Sequence, residues 1–353
     1  MLIRCGYKKK SDCSPACRIR HRLPGCLLLL WTIVLISGGC RPRACLDTPD
    51  VSHIPMDVRI ERLEKAFHNI SSPDTLEDLL RKNPMFAQAF LGIWPNRPDI
   101  VQVNSFVRLM NDPNIDSLFL EVDRVFGDMR WLEEEFNGAF RNITYYYPGY
   151  RPPVIKSVVT GMLHDLYVSD SLLIIGIDWY LGENSPYRPD LYAYLLKRYQ
   201  PEYLVPQLLL HVAGRFAASS PGESSTLTEM IYHGKLLYFA RHMLPCAPDS
   251  LFTGYTAEET ADIEKHEPVI WATVLENELL FETNHSVVKR LFDERPKVFE
   301  IGEKCPGRIG RWLGYRIVNA YMKANPSTTI PELMAMTDAR TLFNQSKYRP
   351  LPY

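Results

Sequence analysis

The sequence predicts an α+β domain that is mostly helical and contains one small, mainly antiparallel sheet. Apolar residues recur with helical spacing through most of the chain after residue 57, whereas alternating patterns are confined to residues 145–177. The 353 residues are 46% apolar, which is enough to form a sizeable core. The balance of 40 basic and 41 acidic residues lacks the basic footprint of a dedicated nucleic-acid binder.

The N-terminal segment has the composition of a secretory signal. Residues 1–39 contain seven basic residues and one acid, so the remaining 314 residues carry a net charge of −7. An apolar run of 11 residues, Cys26 to Ile36, follows the basic stretch and is followed by small residues. The run is shorter than the ~20 residues that a bilayer-spanning helix needs. We therefore predict a signal peptide over residues 1–39.

Cys40 directly follows Gly38 and Gly39, an arrangement typical of the cleavage site of bacterial lipoproteins. Ser37 replaces the usual branched residue, so an ordinary cleaved signal and a single-span anchor remain as alternatives. Acylation of Cys40 with several chains would anchor the protein stably to membrane lipid, since one chain binds only marginally. The expected location is the cell envelope, facing the periplasm, with residues 40–55 as a tether.

Residues 56–353 are predicted to form a single domain, because no repeat, low-complexity tract or interior linker interrupts them. The first helix should begin near Asp57, since Ile60, Leu63 and Phe67 recur on one face. Ser72 and Pro73 have the residue types of a helix N-cap and first turn. Further helices are expected over 84–93, 98–110, 114–126, 129–141, 189–199, 202–217, 225–243, 257–281, 285–293, 308–324 and 331–344.

The predicted sheet comes from four short segments, 145–147, 154–159, 166–168 and 172–177, which are rich in β-branched and aromatic residues. Turns of hairpin length separate the last three segments, which favours antiparallel pairing. Six of the eight cysteines lie in the first 45 residues. The expected compartment permits a disulfide between Cys246 and Cys305, although two buried thiols are the preferred interpretation.

Standard catalytic and nucleotide-binding signatures are absent from the sequence. The segment GRIGRWLG spaces Gly307, Gly310 and Gly314 along one helix face. It lacks the strand and turn of a phosphate-binding loop, so we interpret these glycines as sites of close helix packing.

A vestigial metal frame is suggested by HVAGR, at the position where a zinc peptidase of the zincin type would carry its His-Glu-x-x-His motif. Val212 replaces the general base, and Arg215 replaces the second histidine ligand. His233 lies 18 residues beyond Arg215, about where a third ligand would stand. His211 and His233, with Glu229 or Asp178, could still gather a metal. We expect instead no metal, no cofactor and no catalytic residues, with His211 a hydrogen-bonded core histidine.

A candidate partner-binding loop follows the last predicted strand. It contains Asp178, Trp179, Tyr180 and Tyr187, and surface loops that combine aromatic and charged residues often carry recognition. The alternative is an aromatic cluster that covers the end of the sheet.

Several ordered segments together resemble the gliding motility-associated lipoprotein GldB family. They cover the chain from about residue 57 to its end. Two positions depart from the family pattern: His233 stands where Glu is usual, and His266 where Asn is usual. The segments are VRIERLEKAF, FGDMRWLEEEF, IGIDWYLG, MIYHGKLLYF, EPVIWATVLENELLF, CPGRIGRWLGYRIVNAYM and SKYRP.

The resemblance implies a non-enzymatic envelope lipoprotein that works with other proteins of gliding motility and associated secretion. The family is itself similar to predicted zincin-type zinc peptidases, so a degenerate peptidase cleft that holds a partner peptide is expected. The alternative is a zinc-dependent metallopeptidase with atypical ligands such as His211, Glu229 and His233.

Overall fold

Six helices of the described residues precede most of the sheet, and their buried side chains join the common hydrophobic core. The computed structural model describes residues 45–220, 222 and 224–350. The predicted signal peptide and Cys40 lie outside these residues. In the described residues, the first elements are strand β1 (Ile60–Arg62) and helices α1 (Leu63–Phe67), α2 (Pro73–Lys82), α3 (Pro84–Ala89), α4 (Ile100–Met110), α5 (Pro113–Phe126) and α6 (Arg130–Tyr146).

The sheet continues with β2 (Val154–Val158), β3 (Leu166–Val168) and β4 (Leu172–Gly176), and its strand order is β1-β2-β4-β3. The expectation of a mainly antiparallel sheet is wrong, because two of its three pairings, β1 with β2 and β2 with β4, are parallel. Among the described strands, β3 and β4 alone form an antiparallel pair. Parallel neighbours need a long crossover, and α1–α6 provide it between β1 and β2.

Two segments adopt a different structure from the predicted one. Ile60–Arg62 is a strand instead of the start of a helix, because its backbone pairs with β2 and its Ile60 side chain is buried. Tyr145 and Tyr146 continue α6 and form no strand. Both cases show tertiary pairing and helix propagation overriding a short local pattern.

The second half of the domain is helical, as predicted. The predicted helix at 331–344 is divided in two. In the domain as a whole, three helices start with a capping box, at Ser72, Thr256 and Thr329. The helices are α7 (Ala193–Leu196), α8 (Leu204–Ala213), α9 (Thr226–Met243), α10 (Asp249–Thr253), α11 (Ala257–Glu276), α12 (His285–Phe292), α13 (Ile309–Ala324), α14 (Ile330–Ala335) and α15 (Ala339–Ser346).

Helices α9 and α13 form the centre of this half and approach each other closely through glycines. A Cβ atom on Gly314 would lie 1.8 Å from the Met230 carbonyl oxygen, and one on Gly234 would lie 2.3 Å from the Gly314 oxygen. The prediction that the GRIGRWLG glycines serve packing is therefore confirmed. Lys235 is almost fully buried beside this contact, and its ammonium donates to the carbonyls of Ala218 and Met336 at 2.6 and 2.7 Å.

The cysteines are arranged differently from the expectation. Cys246 forms a disulfide with Cys45, across 201 residues of sequence, whereas Cys305 is a buried free thiol. The Leu46 amide also donates to the Pro245 carbonyl at 2.9 Å. The expected tether is thus attached to the domain from Cys45 onward, which the sequence did not indicate.

The C-terminal segment is joined to the helices by a buried carboxylate. Arg316 of α13 donates to both oxygens of Glu267 at 2.8 and 2.9 Å, and the Tyr348 hydroxyl donates to the same carboxylate at 2.7 Å. Tyr348 also packs edge-on against Trp271. Cys45–Tyr353 forms one compact unit. Among the described helices, none has both the length and the apolar character needed to cross a bilayer.

Candidate functional site

A cavity of about 420 Å³ lies between α8, α9, α10 and the start of α13. It brings together His211 from the last turn of α8 and His233 from the middle of α9, which are separated by 21 residues of intervening sequence. The wall opposite carries charged residues that the sequence analysis did not single out. Because this cavity gathers charged, imidazole and apolar side chains in one concave site, it is the candidate site.

Both histidines are held as neutral imidazoles. His211 is exposed, so the expectation of a core histidine is wrong. Partial desolvation by the surrounding cavity lowers the pKa of its imidazole. Burial, together with the nearby guanidinium groups of Arg311 and Arg308, lowers the pKa of His233 to about 3. The His233 ring stacks on Phe292 with ring centroids 5.5 Å apart. An imidazole with so low a pKa binds a proton too weakly to be an effective general base at neutral pH.

Three arginines face this cavity with one carboxylate among them. Arg198 forms an ion pair with Glu294 with an N–O distance of 2.9 Å, and Arg308 lies 3.4 Å from the other oxygen of Glu294. The Arg311 guanidinium donates to the Phe292 carbonyl at 2.9 Å. Burial and the neighbouring Arg308 lower the pKa of Arg311 to about 10, so it remains a cation at neutral pH. The cavity therefore has an excess of positive charge.

Sequence reasoning missed Arg308 and Arg311 because the helical glycine spacing dominates the GRIGRWLG segment that contains them. The missed signal was a pair of cations, Arg308 and Arg311, at the start of a helix, where the helix dipole disfavours positive charge. A local arrangement that costs stability often marks a functional position.

The helical frame expected for HVAGR is not present. Helix α8 ends at Ala213, so His211 and Arg215 do not stand one turn apart on a continuous helix. Arg215 lies elsewhere, where it pairs with Asp170 at 2.6 Å and covers the Tyr150 ring. Val212 is buried in the core.

The other suggested ligands do not complete a metal site. Glu229 lies 3.8 Å from His233 on the same helix, but Asp178 is buried at the end of β4, outside the cavity wall. Within the described residues, no group of three or more His, Cys, Asp or Glu side chains is placed to hold a metal ion. The excess of guanidinium groups also makes the cavity electrostatically unfavourable for a cation.

The candidate partner-binding loop is largely buried. Asp178 is fully enclosed and accepts hydrogen bonds from the Thr160 and Met162 amides, while burial raises its pKa to about 6. Tyr180 is also buried, and both Tyr180 and Trp179 pack against Tyr199 with centroids 5.3 Å apart. Asp178 and Tyr180 are thus unavailable to a partner, and the alternative of an aromatic cluster at the end of the sheet describes them better.

Tyr187 is only partly buried. It packs at the margin of the hydrophobic core. In the candidate partner-binding loop, Tyr187 and part of Trp179 therefore keep access to solvent.

The cavity combines positive charge with a mixed polar and apolar wall. Its carboxylate is engaged by two arginines, and its histidines are neutral. Apolar side chains, including Leu236 and Trp312, line the rest of the wall. This composition is typical of a binding site.

The chain was compared with known families, curated proteins and solved structures. The model of the family described as gliding motility protein GldB matches residues 44–350. No curated protein and no solved structure matches the chain significantly. Because the match extends over the whole described domain, the chain belongs to the gliding motility protein GldB family.

Proposed function

We propose that this protein is a non-enzymatic, lipid-anchored envelope component of gliding motility and associated secretion, and that its cavity binds a segment of a partner protein. Family membership supports the association with motility. One observation supports the binding role. The cavity combines three arginines with apolar walls, and the base beside them, His233, has a low pKa. The proposed anchor is acylated Cys40, directed by the signal at residues 1–39.

The chemistry of the cavity supports a protein without catalytic activity. A metallopeptidase needs a metal with an open coordination position and a general base that activates water. In this cavity the positive charges of Arg308 and Arg311 disfavour binding of a metal cation, and Glu294 is already paired with two arginines. The degenerate peptidase cleft remains an interpretation of the resemblance, and the binding proposal does not depend on it.

Metal content and peptide cleavage test this proposal against the alternative of an atypical zinc peptidase. The purified full-length lipoprotein in detergent should contain no stoichiometric zinc and should not cleave casein or a mixed peptide substrate. His211→Ala should behave identically. Stoichiometric zinc in the wild type, lost in His211→Ala together with chelator-sensitive cleavage, would establish the alternative.

The anchor is tested by replacing Cys40. Cys40→Ser should abolish incorporation of a labelled fatty acid and either release the protein from membranes or leave it unprocessed, because acyl chains provide the membrane affinity. Cys305→Ser serves as the control, since this thiol is buried in the domain and should not affect labelling. Unchanged labelling of Cys40→Ser would mean that a different residue is acylated.

A further inference from the structure

The starting observation is an imbalance of charge in the cavity. Arg198, Arg308 and Arg311 contribute three positive charges, and Glu294 contributes one negative charge. The Arg308 side chain is only 7% exposed and that of Arg198 15%. Buried cations are expensive unless each is paired, so two charges lack compensation within the cavity.

The nearest other carboxylates are already engaged or directed to solvent. Glu259 accepts from Lys197 at 2.7 Å, and Asp165 accepts from the Tyr199 hydroxyl at 3.0 Å. Glu229 lies on the rim, where its side chain is 40% exposed and 3.8 Å from His233. The Arg198 Nε atom is itself buried without a hydrogen-bond partner. This donor is available to an acceptor group of a bound molecule.

The backbone holds the arginines in this arrangement at a cost. Arg308 is the N-cap of α13, adopts a left-handed conformation (φ 62°, ψ 21°), and makes no side-chain cap hydrogen bond. Gly254 leaves room for the cluster, because a Cβ atom there would lie 2.2 Å from Arg308 Nη2 and 2.5 Å from Arg198 Cδ. Strained residues persist where the surrounding structure requires them, and they concentrate at functional sites.

The start of α13 strengthens the attraction for an anion. The helix runs from Ile309 to Ala324, and its N-terminal turn, which contains Arg311 and Trp312, lines the cavity. A helix N-terminus carries partial positive charge, which adds to that of the guanidinium groups. The cavity wall also includes the two histidines and the apolar side chains of Leu210, Leu236 and Phe252.

We infer that the cavity binds a carboxylate of a partner peptide, with the guanidinium groups of Arg308 and Arg311 holding the carboxylate and the apolar wall accepting the adjoining side chain. Arginine binds carboxylates through paired, charge-assisted hydrogen bonds. An apolar wall beside the cations favours a carboxylate borne on a peptide over a free inorganic anion. The inference rests on the proposed function, because it specifies the chemical group that the binding cavity recognises.

The test measures which peptides the full-length lipoprotein retains. A pool of random pentapeptides with free C-terminal carboxylates and the same pool with C-terminal amides are mixed and incubated with the protein in detergent. Retained peptides are identified by mass spectrometry after ultrafiltration. We expect free acids to be retained about tenfold over amides if the C-terminal carboxylate is recognised. If amides containing Asp or Glu are retained over other amides, the carboxylate comes from a side chain.

Three variants locate the binding. Arg311→Gln should reduce retention about tenfold, because it removes one charged donor from the cavity. Arg290→Gln makes the same change on the surface of α12, where the side chain is 53% exposed, and should leave retention unchanged. His233→Glu places a carboxylate beside Arg308 and Arg311, so it should abolish retention while the thermal midpoint stays equal or rises.

The outcomes separate this inference from the proposed function. Retention of amidated peptides that lack Asp and Glu, equal to that of free acids, would overturn the inference and leave peptide binding standing. Retention of no peptide by the wild type would overturn both, even if 10 mM inorganic phosphate stabilised the protein. Equal retention by wild type and His233→Glu would show that binding occurs outside the cavity.

Discussion

At the residue scale, single side chains in this protein are placed against their ordinary preferences, and each has an identifiable partner or reason. Lys235 is buried, but backbone carbonyls from two segments surround its ammonium. His233 is buried beside two arginines, where protonation would add a third positive charge. Such residues couple stability to protonation, because the folded and unfolded states bind protons differently.

We predict that His233 makes the protein less stable in acid. Its pKa is about 3 in the folded state and 6.5 when unfolded. Above pH 6.5 the imidazole is neutral in both states and has no effect. As pH falls from 6.5 towards 3, only the unfolded state gains the proton, so the free energy of unfolding should decrease by about 1 kcal/mol per pH unit.

Urea denaturation at pH 7 and pH 5 checks this prediction. His233→Gln should lose about 2 kcal/mol less than the wild type between the two pH values. His53→Gln, which changes an exposed histidine, should respond to pH as the wild type does. If His233→Gln loses as much stability as the wild type between pH 7 and pH 5, the charge of protonated His233 is compensated in the folded state, for instance by Glu229 on the same helix.

At the scale of elements, the contact between α9 and α13 organises the second half of the domain. The glycines at 234 and 314 allow the two backbones to meet, and the neighbouring residues of α13 then reach the cavity. The positions of Arg308 and Arg311 therefore depend on the contact between α9 and α13 that the two glycines allow.

Replacing Gly314 should separate these helices. A Cβ atom at this position would lie 1.8 Å from the Met230 oxygen, so Gly314→Ala should destabilise the protein by about 3 kcal/mol. Gly138→Ala in α6 is the matched control, because nothing lies within 4 Å of its Cβ. That control should stabilise by about 0.5–1 kcal/mol through the better helix propensity of alanine. Similar effects of both variants on thermal unfolding would refute the close contact.

At the scale of the whole molecule, the disulfide links the start of the domain to the loop after α9. Cys45 and Cys246 are 201 residues apart in sequence, so the bond closes a loop that contains both the sheet and the cavity's α8 and α9. The N-terminal residues are thereby attached to the same half of the domain as the candidate site. A long loop restricts the unfolded chain strongly.

Removal of this bond should lower the free energy of unfolding by about 3–5 kcal/mol. The double variant Cys45→Ser, Cys246→Ser should show this loss in urea denaturation. Reduction with dithiothreitol should destabilise the wild type to a similar extent and leave the double variant unchanged. A reductant effect that persists in the double variant would place the disulfide between other cysteines.

The sequence predicted most helices because their signals are local. Thr256 is the N-cap of α11 and forms a capping box with Glu259, and Asp112 is the N-cap of α5, which begins at Pro113. Strand partners are not local: β2 pairs with β1 across more than 90 residues and with β4 beyond β3. Hairpin-length turns therefore suggested the wrong neighbours for β2.

The sequence by itself determined the α+β class, the close glycine packing of GRIGRWLG and the resemblance to the family that the comparison shows. These depend on periodicity, capping and segment order, which are written along the chain. Only the tertiary structure decided the sheet order, the Cys45–Cys246 bond and the meeting of His211 and His233 with Arg308 and Arg311. The reason is physical: burial and Coulomb interactions depend on distance in space, and no local pattern specifies which distant residues become neighbours.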